Sequence, residues 1–212
     1  MAQTEIKIAN KTEDDVEIWV TLGATPGCLQ DVTEIPWITS GSDLMGSFTL
    51  KANDSVSYTP DEGVGLNGNL TAGGPPLNCP TDSFPGGVNI FEFIINNAFQ
   101  PGSPQETLDI SCVAGVSTLW AGELSGGGAW NAGPTQPDVK EFHNDIINKN
   151  SGLVGVYPFG CDDCTASVAP PVCDPHRPHA TPQAEAICNI QRDASESGGV
   201  VTANFLGNLA IL

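Results

Sequence analysis

The chain has 212 residues, enough for one domain with a sizeable core and a smaller lobe beside it. Hydrophobic residues make up 40% and charged residues 15%, the balance of a folded protein and not of a disordered acidic tail. Net charge is −18, from 25 acids against 7 bases, and no Lys or Arg stands between Lys51 and Lys140, so nucleic acid and an anionic membrane surface both lack the cations they need here.

In chain order, the first ~130 residues carry the two-residue alternation of strands. Ile6 and Ile8 open it. Val16, Ile18, Val20 and Leu22 follow, then Phe48 and Leu50, then Val56 and Tyr58, then residues 88–95 and 108–113. Clusters of Gly, Pro, Asn and Asp, such as PDEG, GLNGN, AGGPP, FPGG and SGGG, read as the turns between them. Near Thr135 the pattern changes. TQPDVKEFHNDIINKN sets Val139, Phe142, Ile146 and Ile147 at helical spacing, which predicts a helix. A Cys-, Pro- and Gly-rich irregular stretch comes next. A second helix is predicted from a Thr181 cap and Pro182, with Ala184, Ile187 and Cys188 inward and Gly198-Gly199 as its stop. The closing VVTANFLGNLAIL reads as strand returning to the sheets. The expected division is a β-sandwich over 1–134, a helical, Cys-rich lobe over 135–199 and a terminal strand over 200–212.

No stretch is apolar and long enough to span a bilayer. MAQTEIKIAN lacks the basic start and apolar core of a signal peptide, which leaves an intracellular protein or a mature secreted form. Sequons at Asn10, Asn53 and Asn69 are consistent with the second, though such triplets also arise by chance, and an extracellular location is expected. The seven cysteines are Cys28, Cys79, Cys112, Cys161, Cys164, Cys173 and Cys188. An odd number leaves one thiol free or paired to another chain, so a homo-oligomer is an open alternative. Cys161, Cys164 and Cys173 with His176 and His179 suit either disulfides or zinc; the short, Pro-broken later spacing favours disulfides, and no metal or cofactor is expected.

The run VNIFEFIINN places Glu92 on a strand face with Val88, Ile90 and Ile94, while Phe91, Phe93 and Ile95 point the other way. Phe91-Glu92-Phe93, followed by Leu108-Asp109-Ile110-Ser111 and Val113-Ala114-Gly115, resembles the signature of the thaumatin-like proteins. The opening Ile6, Ile8, Asn10 and Val16–Trp19 and the Pro60-Asp61-Glu62-Gly63 turn extend the likeness over residues ~5–120. The resemblance implies a mainly β, thaumatin-like flattened β-sandwich with Cys-stapled loops beside it. It also implies an acidic cleft associated with β-glucan binding, weak endo-β-1,3-glucanase activity, defence against fungi or inhibition of other enzymes. Glu92 and Asp109 fall on two of the five cleft positions. A third, an Asp, falls on Ala114, and the strand after the Pro60 turn carries no arginine where the family has one.

Two carboxyls are what glycoside hydrolysis needs, one to protonate the leaving oxygen and one to stabilise charge or water. Glu92 would be the general acid, its pKa raised among Ile and Val, and Asp109 the nucleophile or base, with Glu106 an alternate. The competing readings are binding without chemistry and a purely structural carboxylate. Trp37, Trp120 and Trp130 lie in or beside loop-like stretches, where an indole either stacks on a sugar or packs under the loop. The expected function is non-catalytic recognition of a polysaccharide or cell-wall glucan by Glu92, Glu106, Asp109 and Trp120. The alternatives are a scaffold for self-assembly or for inhibiting a partner, and a weak glucanase.

Overall fold

The computed structural model of the chain describes residues 2–77, 87–97, 105–111, 117–131, 139–143, 156–157 and 190–208. Cys79, Cys112, Cys161, Cys164, Cys173 and Cys188, the histidines His176 and His179, Ala114 and the start of the second predicted helix lie outside the described residues.

The described chain is mainly β, in two sheets. Its strands are β1 (Glu5–Asn10), β2 (Val16–Leu22), β3 (Ser40–Ser42), β4 (Met45–Leu50), β5 (Ser55–Tyr58), β6 (Leu66–Ala72), β7 (Ile90–Ile95), β8 (Gln105–Ser111), β9 (Thr118–Ser125), β10 (Glu141–His143), β11 (Val156–Tyr157), β12 (Ile190–Asp193) and β13 (Val200–Asn208). The five-stranded sheet runs β10-β9-β13-β1-β5, with β1 and β13 parallel. The eight-stranded sheet runs β11-β8-β7-β6-β2-β4-β3, and β12 adds to β8 as well.

The core lies between the inward faces of the two sheets, and alternation decides what enters it. From the five-stranded sheet come Ile6, Ile8, Trp120, Phe142, Val201, Ala203 and Phe205; from the other come Ile18, Val20, Leu70, Phe91, Phe93, Ile95, Leu108 and Ile110. Phe91 bridges the layers, with its ring centroid 6.1 Å from Trp120 and 5.5 Å from Phe142. Phe142 sits over Gly122, and a Cβ there would run into the Phe142 ring.

Three stretches depart from the sequence-based expectation. Residues 141–143, predicted helical, form β10 against β9, and Val139 and Phe142 are buried in the core. A spacing of three fits one helical face, but pairing with β9 and burial over Gly122 override that local preference. Leu66–Ala72 is a strand, although GLNGN reads as a turn. Ile190–Asp193 is a strand followed by a single 3-10 turn at Ala194–Glu196, so no helix runs on to Gly198. Val200–Asn208 returns to the sheets as expected and lies between β9 and β1.

Candidate functional site

The face of the eight-stranded sheet that points away from the core answers why Glu92 sits where it does. On β7 the apolar set Phe91, Phe93 and Ile95 is inward, and Ile90, Glu92 and Ile94 are outward and half-buried. On β8 the inward set is Glu106, Leu108 and Ile110, and the outward set is Thr107, Asp109 and Ser111. Register pairs Glu92 directly with Asp109, so two acids 17 positions apart meet on one outer face.

Their carboxyls hydrogen-bond to each other, which requires a proton on one of them. Asp109, only 7% exposed, has its pKa pushed well above the ordinary carboxylate range, first by burial and then by the charge of Glu92. Burial raises Glu92 as well, while the bond from Asp109 favours its ionised form. The two acids therefore titrate as a pair that keeps a proton above the ordinary carboxylate range. No Lys or Arg stands on β2, β6, β7 or β8 to compensate the remaining charge. The strand on which the resemblance places an arginine is β6, and the residue it sets opposite Glu92 is Asn69. Asp109 Oδ1 and Asn69 Oδ1 are both buried and have no hydrogen-bond partner among the described residues.

Glu106 and Trp120, expected beside these acids, are elsewhere. Glu106 is three residues from Asp109 and so on the opposite face of β8, fully buried. Its Oε2 accepts from Arg192 Nε at 2.5 Å, and its Oε1 accepts from Thr4 Oγ1, Asn96 N and Ser197 Oγ at 2.8, 2.7 and 3.1 Å. Arg192 also donates to Thr4 Oγ1 and the Gly198 carbonyl, each at 2.8 Å, and lies 4.3 Å over the Trp130 ring. Asn96 takes φ 55, a left-handed turn that Asn tolerates, at the end of β7. This is a saturated structural clamp, with no carboxylate capacity left for a ligand.

Trp120 is in β9 and fully buried, with its ring centroid 5.6 Å from Phe205. It has no face to offer a sugar. Trp130 is buried too, and Trp37 packs 4.5 Å from Phe48 while donating from Nε1 to the Ser57 carbonyl at 3.0 Å. Packing, the plainer of the two readings for an indole, holds for all three.

Cys28 is buried and unpaired among the described residues, and burial pushes its thiol pKa up. No cluster of three or more His, Cys, Asp or Glu suited to a metal occurs among the described residues; the candidate zinc ligands fall outside them. No helix among the described residues is long and apolar enough to cross a membrane.

No family model and no curated protein sequence matches this chain. Among solved structures, the thaumatin-like xylanase inhibitor TLXI is similar over 95% of this chain and 98% of that chain, at 11% sequence identity and a TM-score of 0.40. That is a likeness of layout only, and it carries no argument about ligand or partner.

Proposed function

We propose that the outer face of the eight-stranded sheet recognises carbohydrate of the β-1,3-glucan type and binds it without efficient turnover. The observation that supports this is the Glu92–Asp109 pair: two acids on an outward face, sharing a proton, with Asp109 Oδ1 left unpartnered among the described residues. Sugar hydroxyls both donate and accept, so they can pair with an ionised acceptor and a protonated acid side by side. Buried polar atoms without partners are rare in folded proteins, which favours a ligand role over a purely structural one.

The same contact argues against hydrolysis. Glycosidase carboxyls stand roughly 5 Å apart when one is a nucleophile and further apart when water attacks. Acids hydrogen-bonded to each other leave no room between them for the glycosidic oxygen. The proposed setting is extracellular and defence-like, because the polymer is a cell-wall material.

Retention on insoluble β-1,3-glucan tests the reading. The protein should be retained and should release no reducing sugar. Glu92→Gln and Asp109→Asn should each weaken retention by about tenfold, the worth of one good hydrogen bond. A protein that ignores the glucan and elutes as a large species on a sizing column would be an assembly scaffold instead.

A further inference from the structure

The outward row does not stop at the two acids. Register carries it from Asp109 through Glu92 and Asn69 to Thr21 on β2 and Met45 on β4. At the usual strand spacing these four steps cover about 19 Å. Exposure is least at one end of the row and greatest at the other. Asp109 is 7% exposed, Glu92, Asn69 and Thr21 are half-buried, and Met45 is 42% exposed. Met45 is the one exposed large hydrophobic side chain among the described residues. Trp19 lies on the same face of β2, two residues from Thr21 and opposite Thr71.

Four polar atoms on this face are buried and have no partner among the described residues: Trp19 Nε1, Thr21 Oγ1, Asn69 Oδ1 and Asp109 Oδ1. They occupy neighbouring positions on β2, β6 and β8. The contrast with Glu106, whose two oxygens take four hydrogen bonds, shows that this fold can saturate a buried polar group.

We propose that this row is an extended subsite for a linear polyhydroxylated chain lying across the strands, with Trp19, Thr21 and Asn69 as binding residues beyond the carboxyl pair. One end of the chain meets Asp109 and the other leaves over Met45. The inference rests on the carbohydrate reading of the pair. The donor set matches hydroxyls: Asn69 Oδ1 and Glu92 accept from them, Trp19 Nε1 donates to them, and Thr21 Oγ1 does either. Rotation of the half-exposed Asn69 and Thr21 side chains turns their polar atoms toward an arriving ligand. A pyranose ring is about one strand spacing long, so successive sugars meet successive strands. The Met45 thioether gives the emerging ring an adaptable apolar surface.

Affinities for laminaribiose and laminarihexaose, measured by calorimetry on the full chain, test this. The wild type should bind the hexaose about tenfold or more tighter than the biose. Thr21→Val, which keeps shape, and Asn69→Ala should each lower hexaose affinity about tenfold and leave biose affinity within about twofold. Unchanged hexaose affinity, or an equal loss for both sugars, overturns the extended row; if Glu92→Gln still weakens biose binding about tenfold, the carbohydrate reading stands without it. A wild type that binds neither sugar overturns both. Thermal melts within a few degrees of wild type confirm that each variant is folded.

Discussion

Strand β8 buries two acids in opposite ways. Glu106 points inward and meets a guanidinium, two hydroxyls and a backbone N–H. Asp109 points outward and meets another acid. A buried carboxylate must be compensated, by a cation with enough hydrogen bonds or by keeping a proton. The first solution ties Thr4, Asn96, Gly128, Arg192 and Gly198 into one clamp near the ends of several strands. The second leaves hydrogen-bonding capacity unused on an outward face. The inner acid is therefore read as architecture and the outer pair as a site.

The comparison breaks most sharply at Arg192. Arg192→Met should leave Glu106 buried and unpaired and cost about 3–5 kcal/mol in chemical denaturation. Glucan retention, measured under conditions where the variant is folded, should survive. Trp120→Phe comes next. Shrinking a fully buried indole should cost about 1–3 kcal/mol and leave glucan affinity unchanged, since Trp120 belongs to the core. A loss of affinity in a folded Trp120→Phe protein would return it to the site.

The smallest effect has the opposite sign. Both outer acids have raised pKa values in the folded chain, so over that range the folded state holds more protons than the unfolded one. Their contribution to stability is full below the unfolded-state values near about 4, and is lost as pH rises through the folded-state values. Asp15, Asp31 and Asp193, each lowered first by a side-chain hydrogen bond, act in the other direction and cancel when variants are compared. Asp109→Asn should thus raise the melting temperature at pH ~7 by a few degrees. It should also flatten the decline of stability with pH, read by melts from about pH 4 upward. A variant less stable than wild type at neutral pH would mean that Asp109 is ionised and its charge compensated.

Alternation made β1, β2, β7 and β8 legible in the sequence, and with them the separation of Glu92 from Phe91, Phe93 and Ile95; which face is outward was not, because Ile90 and Ile94 beside Glu92 read as core. The pairing of Glu92 with Asp109 was legible only as a resemblance, because register across a 17-residue separation depends on the connection between the strands. The misplacement of Glu106 was avoidable, since a residue three away on a strand faces the other side. Its partner was not readable, because Arg192 lies 86 positions on. Asn69 and Thr21 were missed for a different reason. GLNGN has turn composition, yet Leu66, Leu70 and Ala72 alternate with Asn67, Asn69 and Thr71, a strand pattern hidden under polar residues. Trp120 was placed in or beside a loop, whereas it lies inside β9, where Gly122 leaves the space that Phe142 fills.

A carbon-detected NMR titration of the two side-chain carboxyls, run with and without laminarihexaose, addresses the shared proton directly. One proton should persist on the pair well above the ordinary carboxylate range, with the two signals moving together, and the sugar should shift both. Two independent titrations at ordinary carboxylate values, untouched by the sugar, would contradict the account.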